Sequence, residues 1–374
     1  MNMLLQGRPP FRADHIGSLL RPAPLREAFR RRAAKEIGED EFTHVQDDCI
    51  REAVRLQESV GLQVVTDGEF RRGSYWGRFV EGTAGLEIRP ALLKFRDEHG
   101  NEADFTAPYA SAPIRRSHPL ALDEFEFLRG ASRVTPKITP KITLPAPSTM
   151  HFFRFSDFAD RNIYGGAEAF FNDLVAVYRD EIADLARAGC RYIQLDEVAV
   201  ALLCDGAIRT KVEATGGNPD ALVDRYIDAL NGALSDCPAE VAVGVHMCRG
   251  NFRGRYLAGG GYEAIAERFF ARTRANHFLL EYDTPRAGDF APLRFVPAGK
   301  GVVLGLISSK RPQLERLDHL RRRTDEATKH IALDRLAISP QCGFASTAAG
   351  NPLSESEQRA KLALVVAAAQ AIWR

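Results

Sequence analysis

A (β/α)₈ TIM barrel is the fold that the sequence predicts, and three observations carry the prediction. Short β-rich runs recur at eight places along the chain, most of them continuously apolar. Helix-length amphipathic segments lie between them. Charged and metal-binding residue types collect where the apolar runs end. Strands of a parallel sheet are buried on both faces, so they read as unbroken apolar text rather than as alternation. Strands alternating with helices indicate an α/β sheet, and eight such units suggest closure into a barrel; periodicity alone leaves an open doubly wound sheet as the alternative.

Taken in order, the predicted strands are His15–Leu19, Leu62–Thr66, Lys141–Leu144, Tyr192–Leu195, Val241–Val245, Phe278–Tyr282, Val302–Ile307 and Leu336–Ser339. The predicted helices are Gln46–Ser59, Gly166–Ala188, Pro219–Leu234, Tyr262–Thr273, Gln313–Ala332 and Glu355–Trp373. One segment breaks the rhythm. Residues 82–132, after the second strand, carry hairpin-like text at Leu86–Phe95 and Phe105–Tyr109 around Glu98-His99-Gly100-Asn101. Insertions of this length are commonly lids or binding elements, and contact between copies in a homo-oligomer is the other expectation. The remaining chain shows no repeat and no linker, so residues 1–374 are read as one catalytic barrel domain.

Composition narrows the function classes. A chain of 374 residues with 45% hydrophobic and 26% charged residues has the balance of a globular enzyme. A net charge of +1 provides no global field to recruit nucleic acid or an anionic membrane. No apolar run reaches the roughly 20 residues of a spanning helix, and the stretch Met1–Asp14 lacks the apolar core of a signal peptide. A cytoplasmic enzyme is the expectation. The six cysteines lack the spacing of a disulfide framework, so they read as free thiols or metal ligands.

In barrels the chemistry sits on the loops that follow the strands. Here those loops hold Asp67 and Glu69, Asp196 and Glu197, His246 and Cys248, Ser308 and Lys310, and Cys342, with Glu281 at the end of the sixth strand. Buried charges are costly unless paired or metal-bound, so their concentration on one predicted face signals a site. Alternate residues of an extended segment point the same way, so His246 and Cys248 can address one ion. With Glu281 and Cys342 they form a set of one imidazole, one carboxylate and two thiolates, which suits tetrahedral Zn²⁺. A core histidine beside two buried thiols is the plainer alternative.

The same residues carry a resemblance. His15-Ile16-Gly17-Ser18, Asp67-Gly68-Glu69, Gln194-Leu195-Asp196-Glu197, His246-Met247-Cys248, Glu281 and Pro340-Gln341-Cys342-Gly343 resemble, in order and placement, the catalytic barrel of cobalamin-independent methionine synthase and its shorter single-barrel relatives. The resemblance implies zinc on His246, Cys248, Glu281 and Cys342. It also implies a homocysteine-like thiol held by the Ser18 region, with His15 in the same motif, and by Glu69 and Asp196 against the substrate ammonium. A methyl donor, methyl-folate or another, is the second partner. Zinc would convert a thiol of pKa about 8.5 into a held thiolate.

Two departures bear on the donor. There is no room for the second barrel-like half of the full-length enzyme. The family's histidine after the seventh strand, associated with protonating the leaving amine, is replaced: Lys310 stands at that point and Ser308 where an aspartate is usual. Lys310 is therefore the candidate acid or donor-carboxylate ligand, with a rim lysine as the alternative. Arg71, Arg72, Arg249, Arg253 and Arg255 are read either as ligands for an anionic tail or as solvated loop charges. Competing functions are a zinc-dependent alkyltransferase for another thiol, of the coenzyme M and epoxide type, and a non-catalytic zinc-binding protein.

Overall fold

The computed structural model describes residues 7–97, 99–132 and 138–373. Glu98, in the predicted hairpin turn, and residues 1–6 of the N-terminal stretch lie outside the described residues. The strands in chain order are β1 (Val64–Val65), β2 (Thr83–Pro90), β3 (Phe95–Arg96), β4 (Glu102–Ala103), β5 (Thr106–Arg116), β6 (Thr139–Pro140), β7 (Ile142–Pro145), β8 (Tyr192–Asp196), β9 (Ala242–Met247), β10 (His277–Glu281), β11 (Gly301–Ile307) and β12 (Leu336–Pro340).

Strands β7 to β12 form a six-stranded parallel sheet in sequence order. Every one of their residues is buried, which matches their continuous apolar text. β1 pairs in parallel with β6, which runs directly into β7. On the other edge, the N-terminal segment meets β12: the Asp14 N–H donates to the Ile338 carbonyl (3.0 Å), and the Ile338 N–H to that of Arg12 (2.9 Å). The same segment reaches β1 through Thr66 Oγ1, which donates to the Gly17 carbonyl at 2.7 Å. The ring of the α/β barrel therefore closes through this segment.

The expected first strand is shifted as a result. Pairing occurs at residues 12–14, and His15–Leu19 turns inward as a loop instead of extending the sheet. Gly17 makes the turn: its φ is +132°, and a Cβ there would lie 2.6 Å from the Thr143 methyl. The second strand shrinks to two residues, and the helix expected over 313–332 spans only Leu317–Ala327. Helix boundaries elsewhere follow local chemistry. Asn218 caps Pro219–Ala233 by accepting from the Asp220 and Ala221 N–H groups, and Ser354 with Glu357 forms a capping box on Glu355–Ile372.

The insertion after β1 is a long antiparallel hairpin of β2 and β5, with a smaller β3–β4 hairpin at its end and the helix Leu122–Ala131 behind it. It is bolted to the barrel by buried charge. Glu124 pairs with Arg72 at 2.6 Å, and Glu181 accepts from the Leu120 and Ala121 N–H groups at 2.7 Å each.

Inside the ring, strand periodicity stacks side chains in columns. Ile16, Leu279, Val303 and Ala337 form one apolar layer, and Val64, Tyr192 and Ala242 another. Continuing each column by twos leads from Tyr192 through Gln194 to Asp196, from Ala242 to His246 and Cys248, and from His277 to Glu281. The sheet register sets Asp196 beside His246, and His246 beside Leu279.

Candidate active site

His246, Cys248 and Cys342 meet at the C-terminal end of the barrel, with one ligand atom from each lying within 4.8 Å of the others. All three are buried. The two sulfurs stand 3.7 Å apart as free thiols. Two ligands at 2.3 Å on a tetrahedral centre would be about 3.8 Å apart, whereas a disulfide needs about 2.05 Å. His246 Nδ1 lies 3.1 Å from the Leu279 carbonyl, where it can donate, and Nε2 is buried without a hydrogen-bond partner. A backbone acceptor on one imidazole nitrogen and an orphaned lone pair on the other is the arrangement of a metal-ligating histidine. The residues present fit a zinc ion.

The electrostatics agree with that fit. A hydrogen bond from Cys248, then the neighbouring His246, holds the Cys342 thiol well below the usual range, while the same sulfur contact and burial push Cys248 well above it. Burial opposes a charged His246, but the Cys342 sulfur outweighs it and the imidazole is shifted upward. Protonation is thus shared within one dehydrated cluster, the condition under which a dication displaces protons.

Glu281, expected as the fourth ligand, stands outside this group. One oxygen accepts from the Arg249 N–H (2.7 Å), and the other pairs with Arg286 (2.7 Å). Burial opposes its ionisation, but the charges of Lys310, Arg249 and Arg286 prevail and lower it to about 2.

The cluster opens into a cavity of about 280 Å³ that Ser18, Glu69 and Asp196 also line. Glu69 has φ of +60°, a strained conformation for a residue with a side chain, and it follows Gly68 in the same region. One of its carboxylate oxygens accepts from Thr143 Oγ1 at 2.8 Å; the other is buried with no partner. Burial raises its pKa, with Arg72 opposing. Asp196 accepts from Gln194 Nε2 at 2.7 Å, and burial lifts it to about 7. Ser18 packs against Gly343, where even a Cβ would fall 1.9 Å from the hydroxyl oxygen. That contact ties the first loop to the loop carrying Cys342.

Other expected residues lie elsewhere. His15 is buried beside Lys141 and Asp14, is held neutral with its pKa at about 3 by burial, and does not line the cavity. Ser308 and Lys310 line a second cavity of about 280 Å³ with Asp97, Arg253, Asp283 and Arg286. The Lys310 ammonium donates to the Gly250 carbonyl at 2.9 Å. Two of the arginines read as tail ligands or solvated charges are neither: Arg72 is buried against Glu124, and Arg249 is buried on the Tyr262 ring (4.2 Å), donating to the Gly260 carbonyl. Sequence reasoning missed the aromatic wall of the first cavity, contributed by Tyr75, Trp76, Phe95, Phe105 and Phe153 with Phe252. The hairpin text around Phe95 and Phe105, and Phe252 among the arginines after Cys248, hinted at it.

Comparison with known proteins agrees with this layout. Residues 11–371 match the family model described as the catalytic domain of cobalamin-independent synthase. The chain is 39% identical to YxjH of Bacillus subtilis over 99% of its own length and 96% of that protein. It is 25% identical to a methionine synthase of Pyrococcus abyssi, over 88% of this chain and 85% of the relative. A crystal structure of a vitamin-B12-independent methionine synthase homologue from Listeria monocytogenes superposes with a TM-score of 0.75 at 30% identity, covering 98% of this chain and 99% of the other. The chain belongs to the cobalamin-independent methionine synthase family, a family of methyltransferases, and matches its catalytic domain.

Proposed function

We propose that the protein methylates the thiol of homocysteine to form methionine, at a zinc ion held by His246, Cys248 and Cys342 with Glu281 completing the set. The observation that carries this reading is that His246, whose Nε2 is partnerless, and the two cysteines line the same cavity as Glu69, one of whose oxygens is partnerless, and Asp196. Zinc supplies the acidity that turns a substrate thiol into a held nucleophile near neutral pH. The chain's own residues do the rest. Glu69 and Asp196 receive the substrate ammonium, replacing water around two carboxylates that burial otherwise destabilises. The Ser18–Gly343 contact holds the two loops at the spacing the amino acid must bridge. The tip of the insertion contributes Phe95, Phe105 and Thr106 to the cavity wall. Glu281 would complete the ligand set on giving up the Arg249 N–H or Arg286.

Titration of zinc-loaded protein with homocysteine by calorimetry tests the reading. Saturable binding that disappears in Cys342→Ala supports it, and no binding to the loaded wild type would sink it. A zinc alkyltransferase for coenzyme M is the second reading. It is disfavoured by Glu69 and Asp196, because that thiol carries no ammonium for them to meet. A closed structural zinc site is disfavoured by the cavity itself.

A further inference from the structure

The metal cluster and the two carboxylates occupy one side of the first cavity, and aromatic rings occupy the other. Phe95 packs on Phe105 (centroids 4.8 Å apart) and on Phe252 (5.3 Å), and Phe105 packs on Phe153 (5.3 Å); Tyr75 and Trp76 add to the wall. Among the described residues that line this cavity there is no lysine or arginine. Its ionisable groups are carboxylates, thiols, one imidazole and the Tyr75 phenol, so the wall offers an anionic donor no ammonium or guanidinium as counter-charge. A cation is favoured by the ring faces, while the carboxylates opposite serve the ammonium of the thiol substrate. Size points the same way, since about 280 Å³ is at the small end for ligand pockets and must also hold the thiol substrate.

From this, and resting on the thiol-methylation reading above, we infer that the methyl donor is a small onium compound, a sulfonium or quaternary ammonium, seated against Phe95, Phe105, Phe153 and Phe252. The substrate thiolate attacks the methyl carbon and forms the new S–C bond. The old C–S⁺ or C–N⁺ bond breaks, and its electron pair stays on the departing heteroatom, which leaves as a neutral thioether or tertiary amine. The only proton released is that of the thiol. No acid has to act on the leaving group, so the step asks no proton of Lys310 or Ser308, which line the other cavity. A tertiary-amine donor would instead need a proton delivered to its nitrogen.

The test gives zinc-loaded enzyme and homocysteine four donors in parallel: S-methylmethionine, dimethylsulfoniopropionate, glycine betaine and methyl-folate, with methionine as the readout. Turnover from a sulfonium or from the betaine, and none from methyl-folate, is expected; the separate arms distinguish sulfur from nitrogen onium donors. Independently of turnover, calorimetry with trimethylsulfonium should show saturable binding. That binding weakens roughly 2- to 30-fold in Phe105→Leu and in Phe252→Leu, the span of a cation–ring contact. Both rings are half-buried, so the variants should fold, and homocysteine affinity should not change. Turnover from methyl-folate alone, homocysteine binding without turnover from any onium, or trimethylsulfonium binding that the ring variants leave unchanged would each overturn the inference. Loss of homocysteine binding to wild type would instead count against the thiol reading, and the trimethylsulfonium titration would still decide the aromatic seat.

Discussion

Two buried polar clusters share the interior of this barrel, one above the other, and they differ in one respect. In the lower cluster the charged groups have partners. Lys141 donates to Asp14 (2.8 Å), to Gln194 Oε1 (3.0 Å) and to the His15 carbonyl. Asp14 also takes the Tyr192 hydroxyl at 2.6 Å, whose oxygen lies 2.7 Å from His277 Nε2. In the upper cluster, His246 Nε2 and a Glu69 oxygen are orphaned. Burial is the same, so burial does not distinguish a site from a scaffold. Nor do orphaned atoms alone, since both ring nitrogens of His15 and Nδ1 of His277 lack partners in the lower cluster as well. What singles out the upper residues is that they line a cavity a ligand can enter, where the cost of an orphaned polar atom can be met. The two are joined by Gln194, which accepts from Lys141 and donates to Asp196, so the lower cluster orients the upper one.

The comparison can be broken at several points. The largest effect should come from Cys342→Ala. Removing an outer-shell partner of a metal typically costs 10–100-fold, so loss of a ligand should reduce metal affinity and activity by more than about 100-fold. Metal content after dialysis and initial rates measure this, with circular dichroism expected to stay native. Lys141→Met should do the opposite, sparing bound metal but lowering unfolding free energy by about 3–5 kcal/mol, because Asp14 is left as a buried unpaired charge. Urea denaturation followed by fluorescence reads it, and a wild-type midpoint would refute the structural role.

Glu69→Gln lies between these extremes. Replacing a charge-assisted bond to ammonium costs about 1.5–3 kcal/mol, so the homocysteine KM should rise by roughly 10- to 100-fold while bound metal is unchanged. Asp67 bears on the pH dependence of stability and not on binding. Its second oxygen is orphaned, and burial, then repulsion from Glu124, lifts its pKa to about 7. The native state therefore holds a proton that the unfolded chain, with an ordinary pKa near 3.9, has released. That contribution to stability is fully present below about pH 4 and is lost as pH rises towards 7, at up to about 1.4 kcal/mol per pH unit. Asp67→Asn should flatten this dependence, measured as the difference between variant and wild type in Tm at pH 5 and pH 8.

Much of the fold was legible in the residues. Strands β8 to β12 were expected from apolar runs such as Val302–Ile307, because a strand buried on both faces needs no partner-specific code. The first strand was misplaced, since the apolar residues of His15–Leu19 satisfy the barrel mouth rather than a ladder. His246, Cys248 and Cys342 were legible less from residue type, since buried histidines and thiols are ordinary core material, than from the family-like text around each. Lys310 was expected as the acid at the reaction centre; it lines the neighbouring cavity with its ammonium on the Gly250 carbonyl, near enough for its charge to act on Glu281 and Cys342, because position after a strand does not specify which way a loop side chain turns. Phe95, Phe105, Phe153 and Phe252 could not have been assembled beforehand, because they come from separate segments and aromatic residues are ordinary core material.

By itself, then, the sequence determined the chemistry on offer and the sheet that would present it: residue type decides what can ligate, ionise or deprotonate, and two-residue periodicity decides which side chains stack within one strand. Only the tertiary structure decided which of those groups are satisfied. It turned Glu281 onto Arg249 and Arg286, closed the lower charges on one another, set His246 and Glu69 in the lining of one cavity, and walled that cavity with rings. The physical reason is that partnership is a distance between segments far apart in the chain, and local sequence carries no information about such distances until the barrel closes.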